Sequence, residues 1–336
     1  MDYSPSIDEL RRAVDVHLEG FLAEKREQLP DGAPLIDEMT RMLGAGGKRL
    51  RPAFCLWGFR AAGGHRSDPI VAAAASLELL HTFALVHDDI MDVSDERRGL
   101  PTTFAQHGVN VALLAGDLAL VLADACLMES GFEAASLDRA FAAYSRMRQE
   151  VIVGQYLDVK AGERVSVSVE AARRIAVLKS GRYSIEEPLL IGASLAGADD
   201  DWMAHLQAFG APLGEAFQLR DDLLGSFGDR SSVGKPVDSD IREGKRHVLF
   251  AFAVAALQGE QLDFFVSRWG GRGSLTVDEV ERLRQLLVSS GAKVRTEDLL
   301  ADLCDEARAA LAQLDMPGDS AAALADLTRL ATERSV

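Results

Sequence analysis

Ser76–Gly99 reads SLELLHTFALVHDDIMDVSDERRG, and this stretch decides how the rest of the chain is understood. Its first part is apolar without proline or glycine, long enough for several turns of buried helix. The run then meets Asp88, Asp89 and Asp92, with Asp95 and Glu96 beyond and Arg97-Arg98-Gly99 closing it. On a helix, Asp88 and Asp92 share a face, while Asp89 sits about 100° round. His81 lies about two turns before Asp88 on the same side. Carboxylates this close repel one another, by about 4 kcal/mol per pair near a protein surface. A hard divalent cation reverses that balance, because it takes oxygen ligands. A solvated acidic helix end is the competing reading, and the buried approach and the arginine pair weigh against it. Mg²⁺ uses few protein carboxylates and completes its shell with water and phosphate, so the pattern points to a diphosphate.

The remaining sequence is helical in character. Ser6 and Glu9 form a capping-box pattern ahead of a stripe of Ile7, Leu10, Val14, Leu18 and Phe21. Helices are expected over 53–62, 70–91, 109–128, 137–159, 169–183, 185–195, 202–224, 247–258, 277–289, 296–314 and 320–333. Residues 109–128 are apolar nearly all round, which predicts a central rather than a surface helix. Convincing strand alternation is absent; 165–169 alternates but is short. There is no repeat and no linker long enough to separate domains, so residues 1–336 are read as one all-α domain, a single large helical bundle.

Composition narrows the classes. The 336 residues include 36 basic and 52 acidic side chains, a net charge of −16 that argues against a nucleic-acid partner. Against that field a local cluster of cations stands out, as in GAGGKRLRP at Gly44–Pro52. Cys55, Cys126 and Cys304 are widely spaced, which fits a reducing compartment rather than a disulfide framework or zinc site. The polar N-terminus has no signal character, and no uninterrupted apolar run reaches membrane-spanning length. A soluble cytoplasmic protein is expected.

A second acidic group, Asp221-Asp222, ends another apolar helix within FQLRDDLLG. Alone it reads more readily as a solvated helix end; two such groups in one bundle are stronger evidence for shared metal ions. Lys48, Arg49 and Arg51 flank Gly46-Gly47, where backbone N–H groups can also approach an anion. This is not a P-loop, because neither the spacing nor the following hydroxyl is present. Lys179-Ser180 lies within a helix, and Lys235 and Lys245 lie in a polar stretch at 229–245. Each lone cation also has the ordinary reading of a solvated surface charge.

Seven segments in this order resemble the trans-isoprenyl diphosphate synthases, the polyprenyl synthetases. They are GGKRLRP (46–52), ELLHTFALVHDDIMDVSDERRG (78–99), GDLAL (116–120), GQYLDV (154–159), LKSGRYSIEEPL (178–189), GEAFQLRDD (214–222) and GKPVDSDIREGKR (234–246). The resemblance implies helices around a deep central cavity, with the acidic motifs facing each other at its mouth. It implies Mg²⁺ binding by Asp88, Asp92 and Asp221, supported by Asp89 and Asp222, with roughly three ions per site. Isopentenyl diphosphate would meet Lys48, Arg51, His81 and Arg98. The allylic diphosphate (dimethylallyl, geranyl or farnesyl) would meet Arg97, Lys179, Ser180, Gln218, Lys235 and Lys245. Ionisation of the allylic substrate, attack by the alkene and loss of a proton to the released diphosphate would follow, with no side-chain nucleophile. A homodimer is the family expectation.

Two further points concern specificity. Gly225 stands where the family usually has a third aspartate, which predicts a second metal group that is weaker or leans on water; Asp229 is a partial replacement only if it leaves the loop in which it is expected. Phe83, five residues before Asp88 with small Ala84 beside it, resembles the floor that limits product length; ordinary core packing is its other reading. Geranylgeranyl diphosphate is the expected product, with farnesyl or longer polyprenyl diphosphate as the alternative. A class I terpene cyclase would leave GGKRLRP and His81 without purpose, and a non-catalytic partner subunit would be expected to lose more motif residues.

Overall fold

The computed structural model describes residues 5–228, 238–271 and 274–333. The described elements are almost entirely helical, as expected of an all-α chain. Helix α1 (Ile7–Gln28) begins at the capping box, with the Ser6 side chain accepting from Glu9 N and Glu9 reaching back to Ser6 N at 2.8 Å. Leu10, Val14, Leu18 and Phe21 are buried, so its stripe is the packing face. Helices α2 (Ala33–Gly44), α3 (Leu50–Ala61), α4 (Ser67–Met91), α5 (Thr103–Met128) and α6 (Ala134–Gly162) follow. Then come α7 (Val169–Ala176), a wider-wound π segment (Val177–Glu186), α8 (Glu187–Ala196) and α9 (Asp200–Phe227). The C-terminal part holds α10 (Ser239–Glu243), α11 (Val248–Ala256), α12 (Gly259–Arg268), α13 (Val277–Ser289), α14 (Ala292–Leu311) and α15 (Gly318–Thr332).

The chain divides into two compact units, each assembled from separated segments. The first comprises 1–144, 188–203 and 315–327; the second comprises 145–187, 204–314 and 328–336. Because the backbone passes between them repeatedly, no single linker marks the division in the sequence. In the first unit, the buried alanines 72–75 and Leu77, Leu79 and Leu80 put much of α4 in the core. Helix α8 crosses α3 at a glycine, since a β-carbon on Gly192 would lie 1.9 Å from Cys55 O. The second unit packs Leu219 and Leu223 of α9 with Phe250, Phe265, Trp269, Leu283 and Leu287. The Phe265 and Trp269 rings stand 5.0 Å apart, and each fully buried side chain of this size contributes about 1.5–3 kcal/mol.

Several expectations need correction. Helix α5 is not central all round, because Val109, Leu113, Leu114, Val121 and Met128 are exposed. An apolar periphery does not distinguish a core helix from one with an uncovered side. Its regular part does begin at 109, since Gly108 (φ 79°) breaks the helical path. Helices α4 and α5 are both long and apolar enough, by length and composition, to cross a membrane. No uninterrupted apolar run is that long, since Glu78 and Asp117 interrupt them, and a core helix meets the same criterion: 78% of the apolar window of α4 is buried. The first turn of α3 takes up Leu50–Pro52, so the glycine-rich loop is only 45–49. Helix α12 was not anticipated, and residues 239–243 form a helical turn inside the expected loop. Among the described residues, the strands are Glu96–Arg97 and Leu100–Pro101, which the sequence reading did not anticipate; 165–169 forms none, in line with its short alternation.

Candidate active site

Asp88, Asp89 and Asp92 occupy the C-terminal end of α4, with Asp92 as its cap. The helix dipole places partial negative charge there, so carboxylates at this end call for cations. The protein supplies one itself. Arg97 donates from Nε and Nη2 to Asp89 Oδ1 at 2.9 and 2.6 Å, and Asp89 is only 1% exposed. Burial works against the Arg97 charge, but the Asp89 bonds and nearby Asp88 outweigh it and raise its pKa. Asp89 is therefore turned to Arg97, while half-buried Asp88 and Asp92 remain as the helix-face pair.

A two-residue hairpin holds this arginine in place. Glu96 pairs with Pro101 and Arg97 with Leu100, with Arg98 (φ 54°) and Gly99 (φ 76°) at the turn. Positive φ at both central residues is the tight hairpin geometry, usually Asn-Gly or Asp-Gly; an arginine there costs about 1–3 kcal/mol. Thr102 anchors the far side, donating to Ser94 O at 2.7 Å and capping α5 by accepting from Ala105 N. Arg98 donates to Gly46 O, tying the hairpin to the glycine-rich loop.

In that loop and the first turn of α3, the three cations divide their work. Arg49, in the left-handed conformation (φ 50°), turns into the core and is 5% exposed. It donates to Asp15 Oδ1 at 2.8 Å, Glu78 Oε2 at 3.0 Å and Leu43 O at 2.8 Å. Lys48 is exposed and Arg51 half-buried. His81 lies among Arg51, Arg98, Arg97 and Arg49; burial first, then these guanidiniums, hold its pKa well below the usual imidazole value. The ring is thus neutral at physiological pH, able to share a hydrogen bond with an anion without adding charge. Sequence reasoning missed Glu78 and Asp15; the only signal was an isolated glutamate in an apolar helical run.

Phe83 is buried on α4 and meets the His87 ring edge-on at 4.8 Å. His87 in turn fills the notch at Gly116, where a β-carbon would lie 2.3 Å from the imidazole.

The second unit carries the remaining candidates. Gly154 of α6 lies against the π segment, and Gly181 of that segment lies against Gly214 of α9; β-carbons at these glycines would fall 2.4–2.8 Å from the facing backbone. These close crossings bring together the motifs at 154–159, 178–189 and 214–222. Lys179, in the π segment, donates to Asp158 Oδ2 at 2.6 Å, and Ser180 beside it is half-buried. π segments recur at functional sites, and their wider hydrogen bonding leaves no mark in a 3.6-residue pattern. Gln218 donates to Asp222 Oδ1 at 2.7 Å. Asp222 is 4% exposed, and its Oδ2 receives no hydrogen bond. Burial holds its carboxyl well above the usual range, with Asp240 the next contributor and the Gln218 bond opposing both. Asp221 is half-buried, and Lys245 lies 3.5 Å from Asp240 and 3.2 Å from Glu243. Lys235 and Asp229 lie outside the described residues.

Among the described residues, no three His, Cys, Asp or Glu side chains form a ready-made metal cage. An ion that keeps most of its water requires none, and a buried carboxylate oxygen without a donor fits a hard, oxygen-seeking cation.

Comparison with known proteins extends this picture. The polyprenyl synthetase family model matches residues 33–287. The chain is 35% identical over 283 residues to a geranylfarnesyl diphosphate synthase of Aeropyrum pernix, covering 83% of this chain and 85% of that one. It is 38% identical over 226 residues to a geranylgeranyl diphosphate synthase of Sulfolobus acidocaldarius, covering 65% and 66%. A geranylgeranyl pyrophosphate synthase of Corynebacterium glutamicum, solved with isoprenyl diphosphate and magnesium, superposes with a TM-score of 0.94 at 36% identity, covering 98% of this chain and all of that one. A family match across most of the chain, on the helices that carry both acidic motifs, makes this protein a member of the polyprenyl synthetases, the trans-isoprenyl diphosphate synthases.

Proposed function

We propose that the chain condenses isopentenyl diphosphate with an allylic diphosphate and releases geranylgeranyl diphosphate. The observation that carries this reading is His81 set among Arg51, Arg98, Arg97 and Arg49 on the helix that ends in the Asp88–Asp92 pair: a polyanion site adjoining a divalent-cation site. Lys48, Arg51, His81 and Arg98 hold the isopentenyl diphosphate, with Arg49 fixing the glycine-rich loop from behind. Arg97, Lys179, Ser180, Gln218, Lys235 and Lys245 take the allylic diphosphate. Asp88, Asp92 and Asp221 hold Mg²⁺, with Asp89 and Asp222 in support. The metal, when bound, neutralises charge developing on the departing diphosphate. The allylic C–O bond breaks with both electrons leaving on oxygen, and fixed cationic side chains stabilise that anion without rearrangement. The alkene carbon of isopentenyl diphosphate forms the new C–C bond, and the resulting cation loses a proton to the released diphosphate.

Phe83 is the proposed floor for the growing chain, and Phe83→Ala is expected to shift the product to longer chains. The geranylgeranyl and geranylfarnesyl activities named for the relatives support a medium-length product, with farnesyl diphosphate as the alternative. The three buried, free cysteines support a reducing, cytoplasmic setting. Chromatography of products from isopentenyl diphosphate and each allylic primer, with and without Mg²⁺, tests the reading. A twenty-carbon diphosphate that requires both substrates and the metal is expected; a hydrocarbon from the allylic primer alone would overturn it.

A further inference from the structure

Gly225 lies one helical turn beyond Asp221, so a side chain there would share the face of the second acidic group. The space is already taken. A β-carbon on Gly225 would fall 2.0 Å from Oδ2 and 2.5 Å from Cγ of Asp240. Asp240 reaches this point from α10, whose backbone turns back on itself there: Gly244 N and Lys245 N both donate to Asp240 O at 3.0 Å. Its carboxylate is 7% exposed and faces Lys245 at 3.5 Å. A second observation points outward to a ligand. Asp222 Oδ1 accepts from Gln218, but its buried Oδ2 has no donor among the described residues, an arrangement that costs about 1–3 kcal/mol or more unless a cation or its water completes it.

We propose that Asp240 supplies the carboxylate that position 225 lacks. It is a positioning residue: with Asp222 it orients the water shell of a divalent cation held by Asp221, and Gly225 is the vacancy that lets it do so. The inference rests on Asp221 and Asp222 forming the second metal-binding group. It replaces the expectation that Gly225 weakens that group, and it makes the α10 turn part of the site.

The test uses the full-length protein and measures, by calorimetry, the Mg²⁺ dependence of inorganic diphosphate binding, alongside thermal unfolding without metal. Asp240→Asn keeps the shape and removes the charge. It is expected to raise the Mg²⁺ requirement about 10- to 100-fold, the usual effect of an outer partner of a metal site, with the metal-free melting temperature unchanged or higher. Gly225→Asp displaces Asp240 and is expected to weaken binding. The exchanged pair Gly225→Asp/Asp240→Gly recovers most of the loss of Asp240→Gly. Wild-type binding by Asp240→Asn, or a loss that the exchanged pair leaves unrepaired, overturns the proposal. Asp221→Asn separates the two levels: if it leaves binding unchanged, the second metal group itself is disproved and the proposal with it. If Asp221→Asn weakens binding and Asp240→Asn does not, only the role of Asp240 falls.

Discussion

Gly154 and Lys179 meet backbone to backbone: a β-carbon on Gly154 would stand 2.4 Å from Lys179 N. The position of Lys179 is thus set by an absent side chain on another helix. Gly154→Ala forces the π segment away, at about 1–3 kcal/mol for overpacking. A shift of about 1 Å in a charge-stabilising lysine can cost about a hundredfold in turnover. Steady-state kinetics and thermal unfolding of Gly154→Ala would check both figures. Wild-type turnover would show that Lys179 does not depend on this crossing.

Glu78 is the buried partner of Arg49, and the two support the glycine-rich loop from beneath. Removing one charge leaves the other stranded, which typically costs about 3–5 kcal/mol. Asp15 still pairs with Arg49, so Glu78→Gln is expected near the lower end of that range, read by urea unfolding. The Michaelis constant for isopentenyl diphosphate is expected to rise more than that for the allylic substrate.

His81 gives the first unit a pH dependence of known sign. Its folded pKa lies well below the usual 6.5, through burial and the surrounding guanidiniums. The unfolded chain therefore takes up this proton first. The contribution of His81 to stability is complete above pH 6.5 and declines as the pH falls from there toward the depressed folded value. Unfolding free energies measured between neutral and acidic pH are expected to fall less steeply in His81→Gln than in the wild type.

The exposed side of α5 leads to a prediction about assembly. Leu114, Val121 and Met128 are exposed and seven residues apart, so they line one stripe. A second copy of the chain is the expected cover. Sedimentation of the wild type should give a dimer, and Leu114→Glu should shift it toward monomer. A monomeric wild type would refute this.

Much of the architecture was legible because local chemistry states it directly. The Ser6–Glu9 pair marks the start of α1, and the first acidic motif ends α4 where its apolar run stops. The site was less legible where function depends on which way a side chain turns. Nothing local distinguishes Arg49 from Arg51, yet one is buried against Glu78 and the other is half-buried among the loop's outer cations. Gly225 read as a deletion because the carboxylate filling its space comes from fifteen residues later. The exposed stripe of α5 was hidden for a related reason: apolar side chains on a surface look, in composition, like side chains already in a core.

The ten residues 177–186 hold more chain per turn than the helices on either side. Shortening that stretch by a single residue would let it relax toward an ordinary helix and reset the angle between its two ends. Lys179 could then no longer share one rigid rod with both of its glycine crossings. Loss or gain of one residue here should therefore be far less tolerated than most substitutions, so the segment's length acts as a specification in its own right.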